Sequence, residues 1–243
     1  MSDTSTRPVR MVFTTRAGGA SASPYDSFNL GDHVGDDPAA VAKNRARLAR
    51  AVGLKDVVYM EQLHTNTVTV VDGPQPVAVP ATDALVTTRP RLGLAVLVAD
   101  CTPVLLADAT AGVAAAAHAG RMGARNGIVR KTVATMVDLG ARPDRIQVLL
   151  GPAAAGRNYE VPAAMAADVE AHLPGSRVKT TRGTDGIDVR AGLVRQLLEL
   201  GVTAIEADPR CTIEDTDFFS HRRDGVTGRQ AGLIWLERLE TNG

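Results

Sequence analysis

The chain has 243 residues, and its 27 lysines and arginines balance 27 aspartates and glutamates, so the formal net charge at pH 7 is zero. This balance gives no electrostatic reason to bind nucleic acid or an anionic membrane, and no apolar run reaches the ~20 residues of a membrane helix. Residues 1–10 lack the apolar core of a signal peptide, and two cysteines, Cys101 and Cys211, are too few for a disulfide scaffold. We therefore expect a cytoplasmic protein with neither a membrane nor a nucleic acid as partner.

The first part of the chain predicts a strand, a long loop and a helix. After a tail over residues 1–8, the apolar and β-branched run at residues 9–14 predicts a strand. A polar loop follows over residues 21–37, and loops of that length inside a domain usually have a function. A helix is predicted from residues 36–38, where two aspartates and a proline form a typical start, to Gly53.

The remainder alternates short apolar runs with helical segments. Strands are predicted at residues 57–60, 67–71, 83–87, 93–99, 103–107, 112–117, 146–150, 202–207, 217–221 and 231–235, and helices at 127–139, 162–172 and 189–200. The strands cluster between helices without regular alternation of strand and helix. We therefore predict an α+β fold with mixed β-sheets and helices on the outside, a layered α/β/β/α sandwich, as a single domain over residues 9–240.

Three residues that can bind a metal each follow an apolar strand run. They are His64, Cys101 and His118. Side chains at the ends of neighbouring strands can converge, and two imidazoles with one thiolate are ligands suited to zinc. Three protein ligands leave one tetrahedral position open, as in a catalytic site. The competing interpretation is structural, because a lone cysteine usually packs as a small hydrophobe and these residues form no CxxC-type motif.

Two glycine-containing segments carry arginines that suit an anion. Residues 118–127 place Arg121 and Arg125 at the start of a helix, where backbone N–H groups favour negative charge. Residues 220–229 contain three arginines, whose guanidinium groups bind phosphate or carboxylate well. The alternatives are a tight strand-to-helix turn for the first segment and a solvated hairpin turn at residues 224–225 for the second.

Many ordered blocks of this sequence resemble the laccase-domain or polyphenol oxidase-like family, and the resemblance covers nearly the whole chain. The blocks are Thr14–Gly19, Pro24–Tyr25, Asn29–Pro38, Asn44–Arg45, Gln62–His64, Thr82–Thr87, Ala99–Val104, His118–Gly120, Gly151–Pro152, Tyr159–Val161, Cys211–Thr212 and Ser220–Gln230. The resemblance implies a zinc-dependent purine nucleoside phosphorylase acting on adenosine, inosine, guanosine and S-methyl-5′-thioadenosine, with adenosine deaminase activity. It also implies that His64, Cys101 and His118 hold the zinc and serve as the catalytic centre.

The implied reaction needs groups that bind phosphate and a nucleoside, the two small-molecule partners that we expect. Candidates for these contacts are Arg16, His33, Arg45, Asp100, Arg222 and Arg223. The arginines suit phosphate, and Asp100, next to Cys101, is a candidate for handling a proton or supporting a ligand. We expect a monomer or a small homo-oligomer.

Two segments depart from the family pattern. The usual His-Ala-Gly-Trp-Arg-Gly reads His-Ala-Gly-Arg-Met-Gly at residues 118–123, and the usual Gly-Pro-Cys-Ile reads Gly-Pro-Ala-Ala at residues 151–154. The three predicted zinc ligands are unchanged. The first departure removes an aromatic ring and moves a positive charge, so it bears on nucleoside binding beside His118.

Copper oxidation is one alternative function. Two histidines, one cysteine and a nearby methionine, Met60 or Met122, resemble a single copper site. A multicopper oxidase needs many more imidazoles, and only His33, His172 and His221 remain outside the trio. The histidine count therefore excludes a full multicopper centre and leaves a single copper ion as the alternative cofactor.

Two further alternatives use the same residues differently. Cys101 can serve as a nucleophile with His118 as its base, which would make the protein a cysteine hydrolase. A structural zinc domain is the non-enzymatic alternative, but it requires four closed ligands and the sequence offers no evident fourth.

Overall fold

A computed structural model describes residues 6–239 of the chain. The strands are β1 (Val9–Phe13), β2 (Asp56–Val58), β3 (Val68–Val70), β4 (Ala84–Thr87), β5 (Leu92–Val98), β6 (Thr102–Asp108), β7 (Val113–Ala119), β8 (Gln147–Leu150), β9 (Arg177–Lys179), β10 (Asp185–Ile187), β11 (Ala204–Ala207) and β12 (Gln230–Leu236). The helices are α1 (Pro38–Ala51), α2 (Arg121–Arg125), α3 (Ile128–Asp138), α4 (Ala163–His172), α5 (Val189–Glu199) and α6 (His221–Asp224).

Two mixed sheets form the centre of the molecule. One has the strand order β11-β8-β6-β7-β4-β3 and the other β1-β12-β5-β2, and β9 and β10 form a separate hairpin. The pairs β3–β4, β8–β11 and β2–β5 are parallel, and the remaining pairs are antiparallel. Strands β5, β6, β7 and β12 are buried along their whole length because both faces of each are covered, which explains their nearly continuous apolar sequences.

Three apolar clusters hold four layers together. Between the sheets, Val96 and Ile234 of one sheet meet Leu105 of the other. Helices α3, α4 and α5 cover the outer face of the larger sheet, and α1 covers the outer face of the smaller one through Leu48, which packs with Trp235. This arrangement confirms the predicted α+β fold with an α/β/β/α sandwich. Along β7 the alanines alternate between the two sides, and their small side chains let the layers approach closely.

The structure differs from the sequence prediction in three places. The predicted strand at residues 217–221 is wrong, because Phe218 and Phe219 are buried in a turn and Ser220 then caps α6. The hairpin of β9 and β10 was not predicted, since its short polar strands carry no apolar pattern. The helix predicted at residues 127–139 is present as α3, but α2 precedes it and ends near Gly127, which has a φ of +81°.

The described ends of the chain are tied to the domain. Of the predicted tail, residues 1–5 lie outside the described residues, whereas the Arg7 backbone N–H donates to the carbonyl of Ala109 at 3.0 Å. The Pro8 carbonyl accepts from the N–H of Glu237 at 2.8 Å. Cys211 is buried and Cys101 is half-buried, and the two are not joined by a disulfide. Among residues 6–239, every helix is too short or too polar to cross a membrane.

Candidate active site

The structure brings His64, Cys101 and His118 together at one edge of the two sheets. His64 lies in the loop after β2, Cys101 in the connection from β5 to β6, and His118 on β7. One ligand atom from each residue lies within 4.8 Å of the others, and the two imidazole centroids are 4.7 Å apart. The β5–β6 connection crosses from one sheet to the other, which places Cys101 beside β7. His118 is buried and His64 is exposed, so the group is accessible from one side.

A buried carboxylate, Asp83, holds the ring of His118 and the backbone of His64. Its Oδ1 lies 2.9 Å from His118 Nδ1 and accepts the backbone N–H of His64 at 3.0 Å. Its Oδ2 accepts the backbone N–H groups of Leu63 and Thr65 and the Thr65 hydroxyl, at 3.2, 2.7 and 2.7 Å. Three successive N–H groups thus point at one anion, and this requires the left-handed φ of +59° at His64.

The charges around this carboxylate favour a cation beside Cys101. Burial opposes charge on Asp83, but hydrogen bonds from His118 and Thr65 lower its pKa to about 2. Burial likewise opposes a charged His118, but Cys101 and Asp83 raise its pKa to about 9. Burial and the neighbouring His118 lower the pKa of His64. Because Asp83 takes the Nδ1–H of His118, the Nε2 atom of that ring is left to face a metal ion.

The donor set fits a zinc ion. Two imidazoles and a thiolate are ligands that zinc prefers, and a carboxylate holding the far nitrogen of a ligating histidine is the usual support for such a site. Gly120 leaves the space that the ligands need, because a Cβ at this position would lie 2.6 Å from His64 Nδ1 and 3.0 Å from Cys101 Sγ.

A methyl group at Gly120 should therefore displace two ligands. We expect Gly120→Ala to weaken zinc binding by about 10- to 100-fold, the range typical of changes beside a metal ligand. Competition with a chromophoric zinc chelator measures this effect. Gly73→Ala is the matched control, because a Cβ at Gly73 meets nothing within 4 Å. Equal zinc affinity in the two variants would contradict this account of the site.

Two adjoining cavities share His64, Cys101 and His221. The first, of about 210 Å³, is lined by small side chains together with Tyr159 and three charged residues, Asp100, Arg121 and Arg222. The guanidinium of Arg222 lies 5.0 Å from the centroid of the Tyr159 ring. The second cavity, of about 230 Å³, is lined by all three residues of the trio. The other polar groups of its wall are Gln62, His33, His221 and Arg229.

Three of the six residues predicted to contact substrate lie at these cavities. His33 lines the second cavity, and Asp100 and Arg222 line the first. Asp100 has a left-handed φ of +89°. Its Oδ1 accepts the Thr212 hydroxyl at 2.7 Å and its Oδ2 accepts the Arg222 backbone N–H at 2.6 Å. Asp100 thus joins the β5–β6 connection to the start of α6.

The other three predicted residues line neither cavity. Arg16 bonds to the carbonyl and the carboxylate of Asp26. Arg45 donates to the carbonyl of Leu30 and stacks 4.0 Å from the centroid of the Tyr59 ring. Arg223 donates to backbone carbonyls, including that of Thr212 at 2.7 Å. These guanidinium groups hold the loops around the site.

Sequence reasoning missed three residues of the site, Asp83, Tyr159 and His221. Asp83 and Tyr159 carry usable signals: a charged residue starts the otherwise apolar run at residues 83–87, and Tyr159 is one of three tyrosines in a chain with 3% aromatic residues. The sequence prediction places His221 in a strand, whereas it begins α6. Its Nδ1 lies 2.7 Å from the carbonyl of Gly225, within the short α6 and its C-terminal turn.

Comparison with known proteins places this geometry in a family. The family described as multi-copper polyphenol oxidoreductase laccase matches residues 10–237. Among curated relatives, a Corynebacterium glutamicum protein named a purine nucleoside phosphorylase is 68% identical over 240 residues, covering 97% of this chain and 98% of that protein. Proteins of the same name from Mycobacterium tuberculosis and Streptomyces griseus are 61% and 53% identical, covering 94% and 96% of this chain and 92% and 96% of their own lengths.

Solved structures show the same architecture. The Bacillus licheniformis hypothetical protein YfiH superposes with a TM-score of 0.88 at 32% identity, covering 94% of this chain and 93% of its own. YlmD from Geobacillus stearothermophilus superposes with a TM-score of 0.86 at 34% identity, covering 95% and 92%. The match over residues 10–237 and the identities of 53–68% agree with these superpositions. The chain therefore belongs to the multi-copper polyphenol oxidoreductase laccase family.

Proposed function

We propose that this chain is a zinc-dependent purine nucleoside phosphorylase that also deaminates adenosine. The observation that carries the proposal is a His₂Cys donor set at the junction of two cavities, which share His64 and Cys101. The aromatic ring of Tyr159 lines the first cavity, and the second contains a guanidinium and imidazoles with no carboxylate among the described residues. The two cavities match the two substrates of phosphorolysis, a purine nucleoside and phosphate. Curated relatives at 53–68% identity, which bear the name purine nucleoside phosphorylase, support the same reaction.

Zinc would be held by His64, Cys101 and His118. Copper is the alternative metal, because the family is described as a multi-copper oxidoreductase. The three donors found here, however, are too few for a multicopper centre. Within residues 6–239, this trio is the single group of three or more histidine, cysteine or carboxylate ligands close enough to hold a metal ion. Metal analysis of protein purified without added metal decides between zinc and a single copper ion. About one zinc per chain is the expected result.

The reaction itself exchanges one bond for another. A phosphate oxygen bonds to C1′ of the ribose while the C1′–N9 bond breaks, and its electron pair moves to the purine, which then takes up a proton. The products are ribose 1-phosphate and the free base. The Asp100 carboxylate lines the nucleoside cavity, where its negative charge stabilises the positive charge that develops on the sugar. Tyr159 and Arg222 offer planar groups to the purine.

When bound, zinc supplies Lewis acidity that can activate a substrate oxygen or water. In adenosine deamination, water replaces the amino group at C6 and ammonia leaves, giving inosine. Asp83 contributes to both reactions by holding the His118 ring in place. The exposed side of His64 leaves the site open to the nucleoside.

Product analysis tests the proposed function. Zinc-loaded protein is incubated with adenosine, inosine or S-methyl-5′-thioadenosine, with and without phosphate, and products are separated by chromatography. We expect free base and sugar 1-phosphate only when phosphate is present, and inosine from adenosine in either case. Release of no base from any nucleoside would refute phosphorolysis. The cysteine-hydrolase alternative predicts a Cys101 thiol that is alkylated equally with and without zinc, whereas a zinc-bound thiol is protected.

The altered motif after His118 provides a second test of this function. Arg121 lines the nucleoside cavity where the family pattern has tryptophan, and its Nη1 donates to the sulfur of Met122 at 3.2 Å. Stacking of a base on an aromatic ring contributes about 1–3 kcal/mol, so Arg121→Trp combined with Met122→Arg should tighten nucleoside binding by about 10- to 100-fold. The Michaelis constant for inosine at saturating phosphate measures this change.

Met122→Arg alone is the control for the double variant. We expect it to leave nucleoside binding and zinc content unchanged, because Met122 does not line the cavity. If the double variant binds inosine no better than the parent, position 121 does not contact the base.

A further inference from the structure

Arg229 is a partly buried cation that forms no ion pair among residues 6–239. Its Nη1 donates to the backbone carbonyls of Thr227 and Gly228, at 3.1 and 2.9 Å, which leaves Nε and Nη2 free. Burial lowers the pKa of Arg229, and the negative groups that oppose this effect are Cys101 and Asp100. A buried charge is normally paired, so a guanidinium in this position is suited to an anion that arrives from outside the protein.

The chain holds Arg229 in place through a second loop. The Asn29 side-chain oxygen accepts the backbone N–H groups of Arg229 and Gly31, at 2.8 and 2.9 Å. Gly31 leaves the space for the arginine, because a Cβ there would lie 2.9 Å from Arg229 Cγ. The same loop continues to His33, which lines the same cavity. Two segments separated by 200 residues are thus joined so that their cationic or imidazole side chains share one cavity.

The wall of this second cavity contains no carboxylate among the described residues. Its polar groups outside the trio are Arg229, His33, His221 and Gln62. The Gln62 amide is held by Leu97, since it donates to the Leu97 carbonyl at 2.7 Å and accepts the Leu97 N–H at 2.8 Å. His221 Nδ1 is bonded to the Gly225 carbonyl and His33 Nδ1 lies 3.7 Å from Asp32 Oδ1, so each imidazole has its Nε2 left for a ligand. Together with the guanidinium of Arg229, these two nitrogens favour a phosphate group. The first cavity has two arginines, Arg121 and Arg222, but it differs because the carboxylate of Asp100 lies in the same wall and repels an anion.

We propose that Arg229 binds the phosphate of the phosphorolysis in this second cavity, with His33 and His221 as further hydrogen-bond partners. The assignment rests on the proposed function and adds the location of the second substrate. A planar guanidinium offers two parallel N–H groups to two phosphate oxygens. With the nucleoside in the first cavity, phosphate and ribose meet where the cavities join, at His64 and Cys101.

The test measures phosphate binding in two ways in the zinc-loaded full chain. The first is the rise in melting temperature with inorganic phosphate in the absence of nucleoside, and the second is the Michaelis constant for phosphate. Arg229→Gln is expected to raise two constants by about 10- to 100-fold, the effect of losing a charged hydrogen bond. They are the phosphate dissociation constant obtained from the melting curves and the Michaelis constant for phosphate. Zinc content and the Michaelis constant for inosine at saturating phosphate should stay within about twofold, because Arg229 is not one of the three metal-binding residues and does not line the first cavity.

Two further variants keep the test decisive. His33→Ala, at an exposed side chain that the fold tolerates losing, should weaken phosphate binding by about 2- to 10-fold. If Arg229→Gln does not fold, phosphate binding by His33→Ala still tests the proposed site. Arg142→Gln removes an exposed arginine that pairs with Asp144, and it is expected to bind phosphate as the parent does.

The outcomes separate this inference from the proposed function. If the parent cleaves nucleosides but the Arg229 and His33 variants bind phosphate equally well, the inference is wrong and the function stands. If the parent cleaves no nucleoside, loss of the phosphate-dependent stabilisation in these variants still supports the anion site. Adenosine 5′-monophosphate is the second probe. Adenosine 5′-monophosphate could raise the melting temperature of the parent but not of Arg229→Gln, while inorganic phosphate raises neither. In that case the site binds a nucleotide phosphate, and the assignment of inorganic phosphate as the co-substrate at Arg229 is wrong.

Discussion

Alanine at His118 is expected to remove most of the bound zinc and nearly all activity while the protein stays folded. His118 is the buried ligand of the trio, and its loss leaves two ligands where zinc needs at least three from the protein. We expect zinc affinity to fall by more than about 100-fold, since even changes behind a ligand cost 10- to 100-fold. His64→Ala and Cys101→Ala should behave alike. Metal analysis after desalting, with circular dichroism melting, measures zinc content and folding.

The fold should survive because its apolar clusters do not depend on the trio. Cys101 only packs against the edge of the cluster between the sheets, and the histidines belong to none of the three clusters. His172→Ala is the control, since this exposed histidine bonds to the Asp168 carbonyl away from the site. Full zinc occupancy in all three ligand variants would refute the assignment. Unfolding of all three would instead favour a structural zinc.

Asp83→Asn is expected to have the second large effect, on stability and zinc binding together. Asp83 is fully buried and accepts five hydrogen bonds, whereas asparagine offers one acceptor oxygen and turns an NH₂ group toward N–H donors. Breaking a buried charged network in this way costs about 3–5 kcal/mol in the free energy of unfolding. Zinc affinity should fall by about 10- to 100-fold, because His118 loses the partner that orients it.

Urea unfolding and chelator competition measure the two effects of Asp83→Asn. Asp72→Asn is the matched control, because Asp72 is exposed and its substitution should change stability by less than about 0.5 kcal/mol. A variant with parental zinc affinity would show that the carboxylate supports the loop over residues 63–65 but not the metal ligands. A loss of zinc affinity without a loss of stability would locate its role at His118 alone.

The elements of the fold were largely readable from local sequence. Three of the signals used here extend over only a few residues: an apolar run of strand length, a proline after an acidic cap, and an apolar period of 3.6. For this reason the ends of α1 and of the central strands were predicted within a residue or two. The prediction of a strand at residues 217–221 was wrong because two adjacent apolar residues, Phe218 and Phe219, give the same sequence pattern in a strand and in a packed turn. What decides between them is contact with distant segments.

The candidate site also contains residues that local sequence identifies and residues that only the tertiary structure identifies. His64, Cys101 and His118 could be proposed from sequence because each metal-binding side chain follows its own strand run, a local signal. Which arginine faces a cavity is not a local property. Arg45 donates to the carbonyl of Leu30 and pairs with Asp32, whereas Arg229 bonds through Nη1 alone and forms no ion pair among the described residues. Asn29, 200 residues away, holds the backbone of Arg229. An arginine's partners come from whichever loops fold against it, so only the tertiary structure decides which cation is left for a substrate.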